Sequence, residues 1–214
     1  MTPPIRILGL LGLLFATATP AGQDEDFAAA ETLFHQAQAG DGGATGAAVM
    51  RFERLAATDS PQAPLFQAYL GAAQAMQGRD AWMPWTRMRA TERGLATLDK
   101  ALRRLEPRHD AVMLRQAPVA VETRLVAAAT FLALPELFHR FDAAKAALRA
   151  AFASPAFAAA PPGLRAQLHR RAAEAAARDG RRDEEIAQLK KTVAAEPAGA
   201  IAASARQRLQ ELAS

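Results

Sequence analysis

The chain has 214 residues, half of them hydrophobic but only 6% aromatic, with no cysteine and a formal net charge of +4. That is room for one domain or one extended repeat array, and it excludes thiol catalysis, redox CxxC chemistry and cysteine-ligated zinc. Acidic and basic residues are interleaved, as in RRDEEIAQLKK from Arg181 to Lys191, where Arg181 or Arg182 can pair with Glu185 on a helix surface. Such a face is solvated and needs no partner, so no nucleic acid is expected.

Residues 1–21 are patterned as a cleavable signal peptide. Arg6 supplies the positive n-region, Ile7 to Ala16 an apolar h-region, and Ala16-Thr17-Ala18 the small-x-small pattern of a cleavage site. Cleavage after Ala18 or Ala21 fits, and no cysteine follows to carry a lipid. The apolar run is too short for a membrane span. No other run of spanning length occurs in residues 22–214, so the mature chain is expected to be soluble, without a transmembrane segment, and periplasmic or secreted.

Residues 22–214 read as all-α. Alanine is abundant and favours helix because it loses no side-chain entropy, and no alternation of β-branched residues marks a strand. Pro61, Pro107, Pro155 and Pro197 recur at intervals of 46, 48 and 42 residues. Each closes a helical segment, because proline cannot extend a helix and disfavours helix in the residue before it. Between them helical hairpins are expected. Asp26 to Gln38 pairs with Ala47 to Ala57 across the turn GDGGATG. Pro64 to Gln77 pairs with Pro84 to Leu105, Pro118 to Leu134 with Pro135 to Phe152, and Pro162 to Arg178 with Arg182 to Ala194. Ile201 to Leu212 caps the end. Pro64, Pro84, Pro118, Pro135 and Pro162 stand where a helix would begin, in the first turn, where a missing N–H costs nothing. In the second hairpin Trp85, Met88, Leu95, Leu98, Leu102 and Leu105 form one apolar stripe.

These segments resemble tetratricopeptide (TPR) repeats. In the fourth unit Gly180 lies in the turn, Leu189 takes the large apolar position of the second helix, Ala172, Ala173 and Ala176 the small ones, and Pro197 ends the unit. Leu70-Gly71 and then Gly94, Leu98 and Ala101 carry the pattern in the second unit, Ala144, Leu148 and Ala151 in the third, Ala48 and Phe52 in the first. The resemblance implies a TPR-like α-solenoid of about four helical hairpins plus a C-terminal capping helix. The units are longer than the usual repeat of about 34 residues. In the second, MQGRDAWMPWT reads as an insertion between the two helices.

Catalytic constellations are sparse. His35, His109, His139 and His169 are scattered without HExxH or an i,i+4 pair, GDGG lacks the GK[ST] of a phosphate loop, and there is no GxSxG. Asp110, just after Pro107, reads as a helix-entry residue. Neither enzyme activity, metal nor cofactor is expected. The TPR resemblance implies a scaffold or adaptor that binds a protein or peptide partner of the cell envelope. Its groove would be lined by the first helices, in the fourth unit by Gln167, Arg170, Glu174 and Arg178. An alternative is a periplasmic accessory protein holding a small molecule or cofactor between helices.

Both tryptophans fall in RDAWMPW. Helical spacing assigns Trp85 to the core. Trp82 reads as a lid over the hairpin end or as an exposed anchor for a partner. Arg79, Asp80 and Trp82 are therefore the remaining candidates for binding there, with Asp80 positioned to nucleate a turn.

Overall fold

A computed structural model describes residues 20–213. The expected signal peptide, residues 1–21, lies outside them except for its last two residues. The fold is all-α, with nine helices among the described residues: α1 (Pro20–Gln38), α2 (Gly42–Ala56), α3 (Ala63–Asp80), α4 (Pro84–Arg103), α5 (Val119–Ala133), α6 (Phe141–Ala153), α7 (Pro162–Arg178), α8 (Arg182–Ala195) and α9 (Ala200–Ala213). Successive helices pack as four hairpins, α1–α2, α3–α4, α5–α6 and α7–α8, and α9 lies on α8. The odd-numbered helices also touch in succession from α1 to α9. This is the layering of a helical-repeat array, as the sequence predicts.

The turns explain themselves locally. Gly40 and Gly180 close the first and fourth hairpins at φ 104° and 71°, a left-handed conformation in which a Cβ would be strained. The third hairpin puts His139 there instead, at φ 50°. The second has no such residue: Ala81 and Met83 are extended, and Pro84 opens α4.

Four expectations are corrected. GDGGATG is a turn only at Gly40 and Asp41, because Asp41 accepts hydrogen bonds from the Gly43 and Ala44 amides at 2.9 and 3.2 Å and caps α2, which starts at Gly42. MQGRDAWMPWT is not an insertion. The extra residues lengthen α3 to Asp80, α4 starts at Pro84, and only residues 81–83 lie between. Pro135 does not open α6, which begins at Phe141 after a 3-10 turn, Glu136–Phe138. Finally, the connection from α4 to α5 contains a small antiparallel hairpin, β1 (Met113–Leu114) and β2 (Ala117–Pro118), with Met113 opposite Pro118 and Leu114 opposite Ala117. Its two-residue turn, Arg115-Gln116, has φ of 44° and 68°, the positive values that mirror-image hairpin turns require.

That small hairpin reaches across to the first helix. The Arg115 guanidinium donates to both carboxylate oxygens of Glu31 at 2.6 and 2.8 Å and lies 4.5 Å from the Phe27 ring centre. Beneath it lies an aromatic core. Phe27, Phe34, Phe52, Phe66 and Tyr69 are buried, with neighbouring rings 5.0–6.1 Å apart. Each buried ring contributes roughly 1.5–3 kcal/mol by removal from water. Phe27, Phe34 and Phe52 come from the first hairpin and Phe66 and Tyr69 from α3, so this aromatic core joins the first two units.

The pattern residues behave as the resemblance implies. Ala48, Phe52, Leu98, Ala101, Ala144, Leu148, Ala151, Ala172, Ala173, Ala176 and Leu189 are all buried. Asp110 does not open a helix in the expected way. Its carboxylate accepts the Ser154 hydroxyl at 2.6 Å and stands 3.7 Å from Arg124, joining the two proline-marked boundaries. Glu185 pairs with neither Arg181 nor Arg182 but with Arg208 of α9 at 2.8 Å.

Candidate functional site: an aromatic tip and a C-terminal trough

The end of the second hairpin is the first candidate surface. Trp85 and Met88 lie three residues apart and so share one face of α4. The same face carries Leu95 and Leu98, which are buried. The stripe is thus core at its C-terminal half only. Trp85 is 62% exposed and Trp82 is 89% exposed, so neither the core assignment of the one nor the lid reading of the other holds. The reason is length. The α3 and α4 helices have 18 and 20 residues, α5 and α6 only 15 and 13, and at 1.5 Å per residue the second hairpin outruns the next one. Helical spacing predicts which side chains share a face but not where the neighbouring layer stops.

Met83 and Met88 extend the exposed apolar surface. Around it stand Arg87, Arg89 and Arg93, all exposed. Arg87 turns back to donate to the Ala81 carbonyl at 3.1 Å. None of the three has an ion-pair partner among the described residues.

Arg79 and Asp80 are tied into the fold beneath the tip. Arg79 donates to Asp80 at 2.7 Å and to the Ala37 carbonyl, at the end of α1, at 2.8 Å. The other Asp80 oxygen accepts the Thr45 hydroxyl of α2 at 2.7 Å. Asp80 nucleates no turn by binding backbone amides; it joins the second hairpin to the first. The Arg79 hydrogen bond, helped by Thr45, holds its pKa below the usual carboxylate value against the opposing effect of burial. Thr45, Asp80, Arg89 and Arg93 also line a cleft of about 490 Å³.

The second surface is a trough of about 420 Å³ between α7 and α9, over α8. Its floor is apolar: Ala173, Leu189 and Ala205 form a small buried cluster. Arg170 and Glu174 rise from α7 on one wall, Arg208 and Glu211 from α9 on the other. Glu174 is committed to Arg171 at 2.8 Å and Arg178 at 3.4 Å, and Arg208 to Glu185. Arg170 is half-buried, and no hydrogen bond or ion pair reaches its guanidinium among the described residues. Burial and the adjacent Arg171 lower its pKa, with Glu174 acting the other way. It remains a cation, because arginine titrates far above neutrality.

No family profile matches the chain, and no curated protein matches it. Among solved structures it is similar to a thermophilic TPR protein of Thermus thermophilus, TTC0263, at 20% identity and a TM-score of 0.45, over 89% of this chain and 98% of that one.

The seven residues singled out in the sequence fall into two places. Arg79, Asp80 and Trp82 belong to the tip of the second hairpin. Gln167, Arg170, Glu174 and Arg178 lie along one face of α7, where Arg170 and Glu174 line the trough while Gln167 and Arg178 lie outside it, exposed. The two groups do not converge. Sequence reasoning missed Met83, Trp85 and Met88 as surface residues, and it missed the wall that α9 contributes. Ser204, Arg208 and Glu211 do follow helical spacing, which could have marked that wall.

Two of the histidines are plainly structural. His109 is buried, and its Nδ1 accepts the Glu106 amide at 2.9 Å. His169 stacks on Phe152 at 5.0 Å and hydrogen-bonds Gln188 at 2.8 Å. Among the described residues no group of three or more His, Asp or Glu side chains stands together as metal ligands would, and no helix is long and apolar enough to cross a membrane.

Proposed function

We propose that the chain is an exported, non-enzymatic scaffold of the cell envelope that holds an acidic segment of a partner protein in the α7–α9 trough. One observation carries this reading. The guanidinium of Arg170 is partly desolvated on the trough wall while the carboxylate one turn away, Glu174, is shared between two other arginines. A partly buried charge with no ion pair or hydrogen bond of its own is costly, and a carboxylate entering the trough would relieve that cost. The apolar floor offers room for a small side chain beside it. Flanking contacts would come from Gln167 and Arg178 along the same helix face.

The test is Arg170→Glu in the full chain, expressed in its host and crosslinked. Wild type is expected to retain a specific envelope protein and the variant to lose it at equal helicity. Equal retention by the variant overturns the trough assignment. Export is checked separately by N-terminal sequencing of chain recovered from the periplasm, with Thr19 or Gly22 as the expected first residue. A chain retained in the cytoplasm with Met1 intact defeats that part.

A further inference from the structure

The trough leaves the tip of the second hairpin unused. Trp82, Met83, Trp85 and Met88 are four of the seven exposed large hydrophobic side chains among the described residues, and they fall within seven consecutive positions. Large apolar side chains held together in water usually mark a binding surface. They line neither cleft, and they sit at the end of the longest hairpin rather than in a groove.

The charge around them is of one kind. Arg87, Arg89 and Arg93 have no ion-pair partner among the described residues, whereas Asp80 is already neutralised by Arg79; of the acids between 79 and 93 only Glu92 remains. Tryptophan, with its apolar body and polar N–H, is enriched at the level of lipid headgroups. Arginine can keep its guanidinium among phosphates while its stem covers apolar surface. A protruding aromatic end flanked by cations that no carboxylate neutralises needs no shaped pocket in its partner, only a soft apolar layer beneath an anionic one.

We infer that the tip of the α3–α4 hairpin is a membrane-docking surface, which inserts Trp82, Met83, Trp85 and Met88 into the interface of an anionic lipid bilayer while Arg87, Arg89 and Arg93 engage the headgroup phosphates. The insertion is peripheral. No helix of the tip enters the hydrocarbon, and Arg79 and Asp80 stay in place as the brace that aims the hairpin. This proposal is independent of the trough and stands or falls apart from it.

The chain's two tryptophans both lie in the tip, so their fluorescence reports this surface alone, whatever residues 1–21 do. Phosphatidylglycerol vesicles are expected to shift the emission of the full chain to the blue, and acyl-brominated lipid to quench it. Pure phosphatidylcholine should do neither, and salt should reverse the effect by screening. Arg87→Gln with Arg89→Gln should weaken partitioning about tenfold or more. Emission that phosphatidylglycerol leaves unchanged overturns the proposal, and so does an equal shift on phosphatidylcholine that is insensitive to the arginine substitutions. If vesicles fail while a protein is retained by wild type but not by Trp82→Ala with Trp85→Ala, the tip is a protein-docking surface instead.

Discussion

Gly71 and Gly94 meet backbone to backbone where α3 crosses α4. A Cβ on Gly94 would lie 2.5 Å from the Gly71 carbonyl oxygen and 2.6 Å from the Ala75 nitrogen, and a Cβ on Gly71 would lie 2.8 Å from the Gly94 carbonyl. Both obstacles are backbone, which a rotamer change cannot move. Gly94→Ala should therefore destabilise by about 1–3 kcal/mol, although alanine is the better helix former by about 1 kcal/mol. Gly46, inside α2 with nothing within 4 Å of its would-be Cβ, is the control. There Gly46→Ala should stabilise by about 0.5–1 kcal/mol. Urea denaturation of the two variants should give opposite signs, and the same sign for both would remove the close approach as the reason for the glycine pair.

Asp80 lies in the last turn of α3, where the helix dipole disfavours a carboxylate. Its bonds to Arg79 and Thr45 outweigh that. Because its pKa is lowered in the folded state, its contribution is present above the unfolded value, 3.8, and is lost as pH falls through the folded one. Asp80→Asn should cost about 1.5–3 kcal/mol near neutrality. The gap to wild type should close on acidification below about pH 4. A gap that stays constant between neutral and acidic pH would mean the carboxylate's charge does not hold the two hairpins together.

The architecture was legible because small residues leave a periodic mark. Gly94-x3-Leu98-x2-Ala101 and its counterparts at Ala144 and Ala48 record how closely paired helices pack, which is a local requirement. Helix ends were legible where proline or glycine sets them, as at Pro84, Pro162 and Gly180. The exposure of Trp85 was not, because its spacing matches that of core residues. Only the relative length of the neighbouring hairpin decides which half of the stripe is covered. The same limit hid α9 as the second wall of the trough, since that depends on how α9 folds back over α8. The turn at Arg115-Gln116 was hidden for another reason, which is that it lacks the Asn-Gly chemistry that would announce it.

Glu122 of α5 is buried and accepts the Tyr69 hydroxyl at 2.7 Å. Burial, with a smaller contribution from Glu31, raises its pKa, while the Tyr69 bond and Arg115 pull it down. For a raised carboxyl the stabilising contribution is complete below the unfolded value, 4.5, and is lost as pH rises through the folded one. Glu122→Gln keeps an acceptor for Tyr69 and removes the buried charge. Its melting temperature should equal or exceed that of wild type, by a margin that widens from acidic to mildly alkaline pH. A variant that loses stability as pH rises relative to wild type would show that the ionised carboxylate is instead the favoured partner of Arg115.

Gln116 is exposed and sits at φ 68° in the second central position of the β1–β2 turn. A non-glycine residue there carries roughly 1–2 kcal/mol of backbone strain, and the turn nonetheless forms. The Arg115–Glu31 pair and the contact of Arg115 with Phe27 hold it from the side of α1. Two substitutions separate the terms. Gln116→Gly should relieve the strain and stabilise the fold, the gain reduced to about 1 kcal/mol or less by glycine's greater freedom when unfolded. Arg115→Ala should remove the tether and cost about 1–2 kcal/mol. Hydrogen exchange at the Leu114 and Ala117 amides reads the hairpin directly, slowing in the first variant and accelerating in the second. If Arg115→Ala leaves those amides as protected as in wild type, the hairpin is held by Leu114 in the core rather than by the ion pair, and the link between the first hairpin and the α4–α5 connection is apolar.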